Sequence, residues 1–191
     1  MQHQVERDLL KKGSMRRCKE PEITSLRKEE IPLYLETGSA AYEDHYCHLW
    51  PGGDPWPYLT RNFTPEILHA EMQKPNLRLW LVYCSGIPAG ICKLDLDKGY
   101  GSLPAGGSLF IEKIYLKKSF TGQGLGSSLI RKITRLGQEM GRQYLWLEAM
   151  QKGPALSFYL NHGFKILGET QVPHPEALEA EKKMWVLGRE I

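Results

Sequence analysis

A glycine-rich segment in the middle of the chain has the residue types that bind phosphate groups. Residues 121–127 read TGQGLGS and lie between an apolar stretch, Leu109 to Leu116, and a segment with helical spacing. Glycine lets the backbone approach a phosphate oxygen closely, and the first amides of a helix lack a partner within the helix and lie at the positive end of its dipole. The segment therefore predicts a phosphate-binding turn, although such glycines can also serve backbone geometry alone.

Two nucleotide-binding motifs compete for this turn, and neither matches its spacing. The dinucleotide-binding motif is GxGxxG with an acid about twenty residues later, whereas Gly122, Gly124 and Gly126 are spaced GxGxG. The Walker motif needs a lysine after its last glycine, and here Ser127 and Ser128 follow Gly126. Both nucleotide-binding readings are therefore disfavoured.

The turn and a second motif downstream together resemble the Gcn5-related N-acetyltransferase (GNAT) family. The family's turn is Arg/Gln-x-x-Gly-x-Gly/Ala, and residues 121–126 match it except that Thr121 stands at its first position. Residues 155–164, ALSFYLNHGF, fit the family's AxxFYxxxGF helix, and Lys152 replaces an Asn that the family often has three residues earlier. The resemblance covers most of Glu22 to Leu187, and Leu109 to Phe164 is most similar to the bacterial PaiA-type polyamine acetyltransferases.

This resemblance implies acetyl-CoA as co-substrate and direct transfer of its acetyl group to an amine, with no metal and no covalent enzyme intermediate. The turn would hold the phosphates, with the Thr121 hydroxyl donating to one of them, and the end of the preceding strand would hold the pantetheine arm through its backbone. The implied cofactor-binding residues are Ile114, Tyr115, Leu116, Thr121, Gly122, Gln123, Gly124, Leu125, Gly126 and Ser127.

Acetyl transfer to an amine needs a base, because a primary amine with a pKa of about 10.4 is almost entirely protonated at neutral pH. Glu112 is the acid in the strand before the turn, and the resemblance to spermidine/spermine acetyltransferases places a catalytic carboxylate there. Strict alternation along the strand predicts that Glu112 shares a face with Ile114 and Leu116, opposite Lys113 and Tyr115. The competing interpretation is a surface glutamate paired with Lys113 or with a neighbouring strand.

Tyr159 is the predicted acid, because the departing thiolate is easier to expel when a donor is near. The resemblance places the hydroxyl of this tyrosine close to the coenzyme A sulfur. The competing interpretation is a tyrosine that packs its ring and bonds a backbone carbonyl.

Other residues give weaker signals. His45 and His48 could share a helix face, but no third metal ligand is evident, so no metal is expected. The sequence offers acids that could attract a cationic amine and tryptophans that could line its site, namely Glu43, Asp44, Asp95, Asp97, Trp50 and Trp56.

The elements that position these residues alternate between strands and helices and predict one α/β domain, the GNAT fold with a mixed, mostly antiparallel sheet. Residues 1–20 are expected to form an N-terminal extension, and residues 21–191 the acetyltransferase domain. The apolar repeat Leu125, Leu129, Ile133, Leu136 and Met140 predicts the face of the helix that follows the turn. Residues 50–58, WPGGDPWPY, predict an irregular loop, and Thr64 with Pro65 predicts the start of a helix.

Composition limits the remaining possibilities. The net charge of the 191 residues is only +3 and the basic residues do not cluster, so nucleic acid is not expected as a partner. No apolar run reaches the length of about 20 residues that spans a bilayer, and the start lacks a secretion signal, so we expect a cytoplasmic protein without a membrane partner. The four cysteines lack CxxC spacing and are interpreted as reduced thiols.

The sequence favours a small polyamine-like amine as the acceptor. It leaves open acetylation of a protein N-terminus or lysine, a coenzyme-binding regulatory module with little turnover, and a homodimer.

Overall fold

One mixed sheet organises the molecule. The computed structural model describes Cys18 and residues 21–191. The strands of this part are β1 (Pro21–Ser25), β2 (Leu77–Cys84), β3 (Ile87–Asp95), β4 (Ser108–Leu116), β5 (Tyr144–Met150), β6 (Lys165–Gln171) and β7 (Lys183–Glu190). Their order in the sheet is β1-β2-β3-β4-β5-β7-β6, and β4 with β5 is the parallel pair among antiparallel neighbours. The predicted α/β fold is confirmed.

Helices cover both faces of this sheet. They are α1 (Ile31–Tyr46), α2 (Trp56–Asn62), α3 (Pro65–Met72), α4 (Leu125–Glu139) and α5 (Ala155–Asn161). The predicted start of α3 is confirmed, since the Thr64 hydroxyl accepts a hydrogen bond from the Ile67 amide at 3.3 Å and Pro65 occupies the first helical position. Of the repeat predicted for α4, Leu125, Leu129 and Ile133 are buried, whereas Met140 is exposed just beyond the helix end.

The predicted irregular loop over residues 50–58 is wrong in its last part. Helix α2 begins at Trp56, and Asp54 Oδ1 accepts a hydrogen bond from the Trp56 amide at 2.9 Å. Pro57 does not prevent this, because a proline in the first helical turn removes only an amide that has no intrahelical partner. The consequence is that Tyr58 is carried on a helix.

Two apolar clusters divide the core between the faces of the sheet. On the α4 face, buried residues of α4 such as Leu129 and Ile133 pack with Leu109 and Leu145 of the sheet. On the α1 face, buried residues of α1, α2 and α3 pack with Leu81 and Ile91. We use these names for the two faces below.

Strands β4 and β5 are paired along only about half of their length. They pair only from Ser108–Ile111 with Tyr144–Leu147, and β5 pairs with β7 along its whole length. At the same point β4 carries a bulge, because Lys93 of β3 pairs with Lys113 while the next residue, Leu94, pairs with Ile111. Glu112 is therefore the extra residue, and the sheet opens between the second halves of β4 and β5.

The cysteines differ in part from the expectation of reduced thiols. Cys18 and Cys84 are bonded as a disulfide, with Cα atoms 5.6 Å apart, whereas Cys47 and Cys92 are free. The two bonded residues are 66 positions apart in the chain, so their spacing did not indicate that they lie close together. Apart from Cys18, the predicted extension over residues 1–20 lies outside the described residues.

Candidate active site

The opening between β4 and β5 forms a cleft of about 260 Å³. Its walls come from both strands, from α1, α2 and α5, and from the segments that flank β6 and β7. The lining residues are Tyr42, Tyr46, Leu49, Tyr58, Asn62, Ile111, Glu112, Lys113, Ile114, Tyr115, Leu147, Glu148, Ala149, Met150, Ala155, Tyr159, Val172, Pro173 and Met184. The predicted catalytic residues Glu112 and Tyr159 therefore share one cavity.

The cleft connects the two faces of the sheet, so it has two ends. Its α4 end is lined by residues of the cluster on the α4 face, among them Ile114, Ala149 and Tyr159. Its α1 end is lined by residues of the opposite cluster, among them Tyr42 and Tyr115. Two substrates that enter from opposite faces can therefore meet inside the sheet.

The glycine turn at the α4 end has the geometry that the sequence predicts. Gly122 and Gly124 have φ values of +76° and +86°, which favour glycine, and α4 begins directly after Gly124. The Ser128 amide makes a bond to Gly124 O at 3.0 Å. A Cβ atom at Gly126 would come within 2.9 Å of the Phe158 ring, so this glycine allows the turn to pack on α5. The amides before Ser128 precede the helical ladder and are placed to bind phosphate oxygens.

The hydroxyls of Thr121 and Ser127 both have a protein partner. The Thr121 hydroxyl donates its hydrogen to Lys118 O at 2.8 Å, so its predicted bond to a phosphate requires this bond to break and stays a prediction. The hydroxyl of Ser127 lies 2.9 Å from His162 Nε2. Since His162 Nδ1 is 2.7 Å from the Phe158 carbonyl and must donate to it, Nε2 is the imidazole nitrogen that bonds the Ser127 hydroxyl.

Strand β4 offers backbone groups to the cleft beyond the point where β5 leaves it. The Lys117 amide bonds Ala89 on the β3 side at 2.8 Å. Because backbone groups alternate along a strand, those of Leu116 and Ile114 are directed away from β3. The Leu116 carbonyl accordingly accepts a hydrogen bond from His45 Nε2 of α1 at 2.9 Å. Of the predicted residues, Ile114 and Tyr115 thus line the cleft, and the Ile114 amide is placed to donate into it.

The bulge overturns the predicted alternation at Glu112. Glu112 Oε1 lies 2.5 Å from Lys113 Nζ and 2.8 Å from Lys93 Nζ, and Lys93 also contacts Glu71 of α3. Glu112 and Lys113 therefore meet in one ion-pair cluster, whereas Ile114 packs on the α4 face. The extra residue shifts the phase of the strand, which strict alternation could not anticipate.

Glu112 remains ionised because of this cluster. Burial favours the neutral acid, but the ammonium groups of Lys113 and Lys93 outweigh it and lower the pKa of Glu112. Burial also lowers the pKa of Lys113, and the nearby Lys93 charge adds to that effect, although Glu112 opposes it. The pairing with Lys113 and with Lys93 of the neighbouring strand, which competed with the role of Glu112 as a base, is thus observed, and that role stays a prediction.

Tyr159 lies at the α4 end with its ring packed and its hydroxyl free of protein partners among the described residues. Its ring meets Phe158 and Phe164 edge-on, with centroids 5.1 and 5.6 Å away. Burial raises its pKa, so the hydroxyl keeps its proton at neutral pH. Tyr159 therefore has a ring fixed by packing and a hydroxyl that is available in the cleft, which are the features that a proton donor needs.

The α1 end is a wall of tyrosines that the sequence analysis missed. Tyr42 stacks on Tyr58 with ring centroids 4.1 Å apart, and both Tyr42 and Tyr46 approach Tyr115 at 5.5 Å. Tyr58 and Tyr115 join their hydroxyls at 2.9 Å. Tyr42 and Tyr46 are four positions apart on α1, which is a recognisable signal, but their meeting with residues of α2 and β4 depends on the fold.

Glu148 of β5 is the second acid of the cleft, and sequence reasoning also missed it. It faces Glu112 across the opening, and burial raises its pKa. Among the described residues it makes no ion pair. The isolated acid in an otherwise apolar strand, YLWLEAM, is the signal that could have found it.

The family model of the GNAT acetyltransferases matches residues 40–164 of this chain. This chain belongs to the GNAT acetyltransferase family. It is therefore an acetyl-CoA-dependent N-acetyltransferase.

Individual proteins are similar to this GNAT protein at low sequence identity. It is 26% identical to an uncharacterized N-acetyltransferase of Lactobacillus delbrueckii subsp. lactis over 77% of this chain and 86% of that protein. It is 28% identical to the thialysine N-epsilon-acetyltransferase of Sus scrofa over 54% of this chain and 63% of that protein. Its fold is similar to that of the PaiA N-acetyltransferase from Thermoplasma acidophilum in complex with coenzyme A, with a TM-score of 0.70 and 15% identity over 90% of this chain and 99% of that one.

The residues at the α4 end fit acetyl-CoA. The left-handed glycines have open space where a Cβ atom would lie, the amides before α4 are oriented for phosphates, and the edge of β4 can hold an extended arm. The structure thus brings together the predicted coenzyme-binding residues from Ile114 to Ser127 along one route into the cleft. Their individual contacts with the coenzyme stay predictions.

The weaker candidates of this GNAT domain lie elsewhere. Asp44 accepts a hydrogen bond from the Lys118 amide at 2.7 Å, and Asp95 is bonded to Asn76. Trp50 is buried, and Trp56 is exposed. Neither Glu43 nor Asp97 lines the cleft.

The described part of the chain has neither a cluster of metal ligands nor a helix that could span a membrane. No cluster of three or more His, Cys, Asp or Glu residues there has the arrangement of a metal site, His45 and His48 included. No helix there is both long and apolar enough to cross a membrane.

Proposed function

We propose that this enzyme transfers the acetyl group of acetyl-CoA to a small primary amine, and that the amine enters from the α1 end. The observation that carries the proposal is the cleft itself, which has a free tyrosine hydroxyl at the α4 end and two carboxylates with a tyrosine wall towards the α1 end. Coenzyme and amine approach from opposite faces in this arrangement. The amine can then attack the thioester carbonyl directly, without a covalent enzyme intermediate.

Glu112 is proposed to receive the proton of the amine, directly or through water. It lines the cleft, and its lowered pKa keeps it ionised at neutral pH. A carboxylate with a low pKa does not retain a proton, so Glu112 would pass it on to solvent. A positioned base contributes roughly 10²- to 10⁴-fold to the rate, and most when its pKa lies near the operating pH, so the lowered pKa of Glu112 places it at the lower end of this range.

Tyr159 is proposed to protonate the thiolate of the departing coenzyme. Its hydroxyl is held in the cleft by the packing of its ring on Phe158 and Phe164. Its raised pKa ensures that a proton is available at neutral pH. The Ile114 amide is a backbone donor beside the cleft that could stabilise the oxyanion of the tetrahedral intermediate.

A polyamine-like amine is the acceptor that the sequence resemblance favours, and the carboxylates Glu112 and Glu148 support a cationic acceptor in general. The thialysine acetyltransferase of Sus scrofa is a relative whose name specifies a small amine, which supports the same class. Protein acetylation and a regulatory role with little turnover remain the alternatives to be tested.

The test is a release of free thiol from acetyl-CoA with a panel of spermidine, spermine, thialysine, tyramine and peptides with a free N-terminus or lysine. Turnover with a small amine, and little with peptides, is the expected result. Preference for a peptide would favour protein acetylation instead. Tight binding of coenzyme with no turnover on any amine would favour the regulatory role.

A further inference from the structure

The charges around the cleft balance except at one residue. Glu112 contacts the ammonium groups of Lys113 and Lys93, and Lys93 also contacts Glu71, so these four residues carry no net charge together. Glu148 makes no ion pair within the described part of the chain. Its carboxylate is therefore the uncompensated charge of the cleft.

Lys98 is the cation whose charge acts on Glu148, but its ammonium group is held over aromatic rings. Lys98 places its ammonium over the Phe110 ring at 4.0 Å and near the Trp146 ring at 5.3 Å. Burial raises the pKa of Glu148 even though the Lys98 charge opposes that effect. A bound cation would favour the ionised form of this carboxylate.

The surroundings of Glu148 towards the α1 face are aromatic. The Tyr42 hydroxyl already accepts a hydrogen bond from the Trp50 indole at 3.1 Å, and the Tyr58 and Tyr115 hydroxyls bond one another at 2.9 Å. Each of these three hydroxyls thus already has one protein partner, and much of what these residues offer a ligand is ring surface. Such a surface suits an apolar body or the face of an aromatic ring, and it tolerates one nearby ammonium group.

We propose that Glu148 binds the ammonium group of the acceptor, and that this site selects amines with a single positive charge on an aromatic or aliphatic body. The proposal rests on the proposed function, and among small primary amines it favours acceptors with one charge over the polyamines that the sequence resemblance favours. A second ammonium group would lie among tyrosine rings and near Lys113, where the cleft has no further uncompensated carboxylate. Two of the acids that could have served a polycation from outside are hydrogen-bonded elsewhere, Asp44 to the Lys118 backbone amide and Asp95 to the Asn76 side-chain amide, and neither Glu43 nor Asp97 lines the cleft.

The experiment measures binding as well as turnover, with tyramine as the amine of one charge and spermidine as the polycation. Calorimetry of each amine against the full chain saturated with coenzyme A reports binding without chemistry. We expect tyramine to bind at least about tenfold more tightly than spermidine. Glu148→Gln should weaken tyramine binding roughly ten- to a hundredfold, the range for a hydrogen bond to a charged group, and should leave coenzyme binding unchanged.

The matched control is Glu169→Gln, the same chemical change at an exposed position of β6 outside the cleft. It should leave both amines unaffected, which excludes a general effect of lost charge. The thermal midpoint of Glu148→Gln shows whether the variant is folded.

The outcomes separate this inference from the function on which it rests. Equal or tighter binding of spermidine, no binding of either amine, or unchanged tyramine binding in folded Glu148→Gln would each overturn the inference, even if acetylation occurs. Binding of tyramine that depends on Glu148, with no acetylation of any amine, would instead overturn the proposed function and support the site.

Discussion

The two ends of the cleft are assembled in different ways. The α4 end comes from one nearly continuous stretch of chain, from β4 through the glycine turn and α4 to β5 and α5. The α1 end takes side chains from α1, α2, β4, β5 and the segment after β6, which are far apart in sequence. A motif can describe the first end, whereas only the folded chain describes the second.

This difference accords with the two substrates. All members of a family that uses acetyl-CoA must bind the same phosphates and the same arm, so a local motif can serve them all. The acceptor varies, and the side chains that contact it can change without altering the turn or the sheet. The α4 end is thus expected to determine whether the enzyme is active, and the α1 end is expected to determine which acceptor it acetylates.

The largest effect is expected from removing the proposed acid. Tyr159→Phe keeps the ring that packs on Phe158 and Phe164 and removes only the hydroxyl. We expect kcat to fall roughly 10²- to 10⁴-fold, the range for a positioned proton donor, with little change in the KM for acetyl-CoA. Steady-state kinetics with the best amine of the panel is the measurement.

Tyr144→Phe is the control, because Tyr144 lies on the paired part of β5 outside the cleft. It should retain the kcat of the unmodified enzyme. If Tyr159→Phe also retained it, the tyrosine would be a packing residue, and catalysis would not depend on the α4 end in the way proposed here.

Glu112→Gln is expected to have the second largest effect and to combine two losses. It removes the proposed base, which should lower kcat about 10²-fold, and it leaves Lys93 and Lys113 without their shared counterion. Loss of one partner from a half-buried cluster should cost about 1–3 kcal/mol in the free energy of unfolding. Adding Lys113→Met restores the charge balance, so a double variant that recovers stability but not kcat would separate the two losses.

The same substitution should change the pH dependence of stability. The pKa of Glu112 is lowered in the folded state below its ordinary value of 4.5, so its contribution is present above that pH. It is lost as the pH falls through the folded pKa. We expect the free energy of unfolding of Glu112→Gln to depend less steeply on pH in this acid range, as measured by urea unfolding at several pH values. Equal slopes for both proteins would show that Glu112 is not stabilised by its lysines.

How far the sequence predicted the molecule follows the same division. The glycine turn and the start of α3 at Thr64 followed from local rules of capping and glycine conformation, whereas the placement of Tyr159 followed from the resemblance to the GNAT family. The bulge at Glu112 and the disulfide of Cys18 could not, because each depends on pairing with residues distant in sequence. Glu148 was missed for the same reason. A single acid in an apolar strand lines a cleft only where the neighbouring strand is no longer paired with it, and the sequence does not show where this pairing ends.

A smaller effect, specific to the α4 end, is expected from the glycine that starts α4. Gly124→Ala places a Cβ in the left-handed region, at φ +86°, with open space around it. The left-handed conformation should cost alanine about 1–2 kcal/mol. The backbone can relieve part of this strain by rotating the amides that would bind phosphate. We expect the KM for acetyl-CoA to rise about tenfold, because roughly 1.4 kcal/mol corresponds to that factor. Gly141→Ala is the matched control at the other end of α4, with φ +69° and equally open space, and it should lose stability but keep its KM.

The smallest effect concerns Lys152, which replaces the Asn common in this family. Its ammonium bonds Ala180 O at 2.9 Å and Glu181 at 2.8 Å, so it ties the segment before α5 to the segment between β6 and β7. That second segment begins with Val172 and Pro173 at the α1 end. Because the pair is largely exposed, its contribution is at most about 1 kcal/mol. We expect Lys152→Asn to raise the KM of the amine about two- to threefold, with kcat unchanged.

Lys182→Asn, which breaks an ion pair with Glu179 confined to the same segment, should have no such effect. If instead Lys152→Asn altered only the KM of acetyl-CoA, this position would belong to the α4 end, and the boundary between the two ends would have to be redrawn.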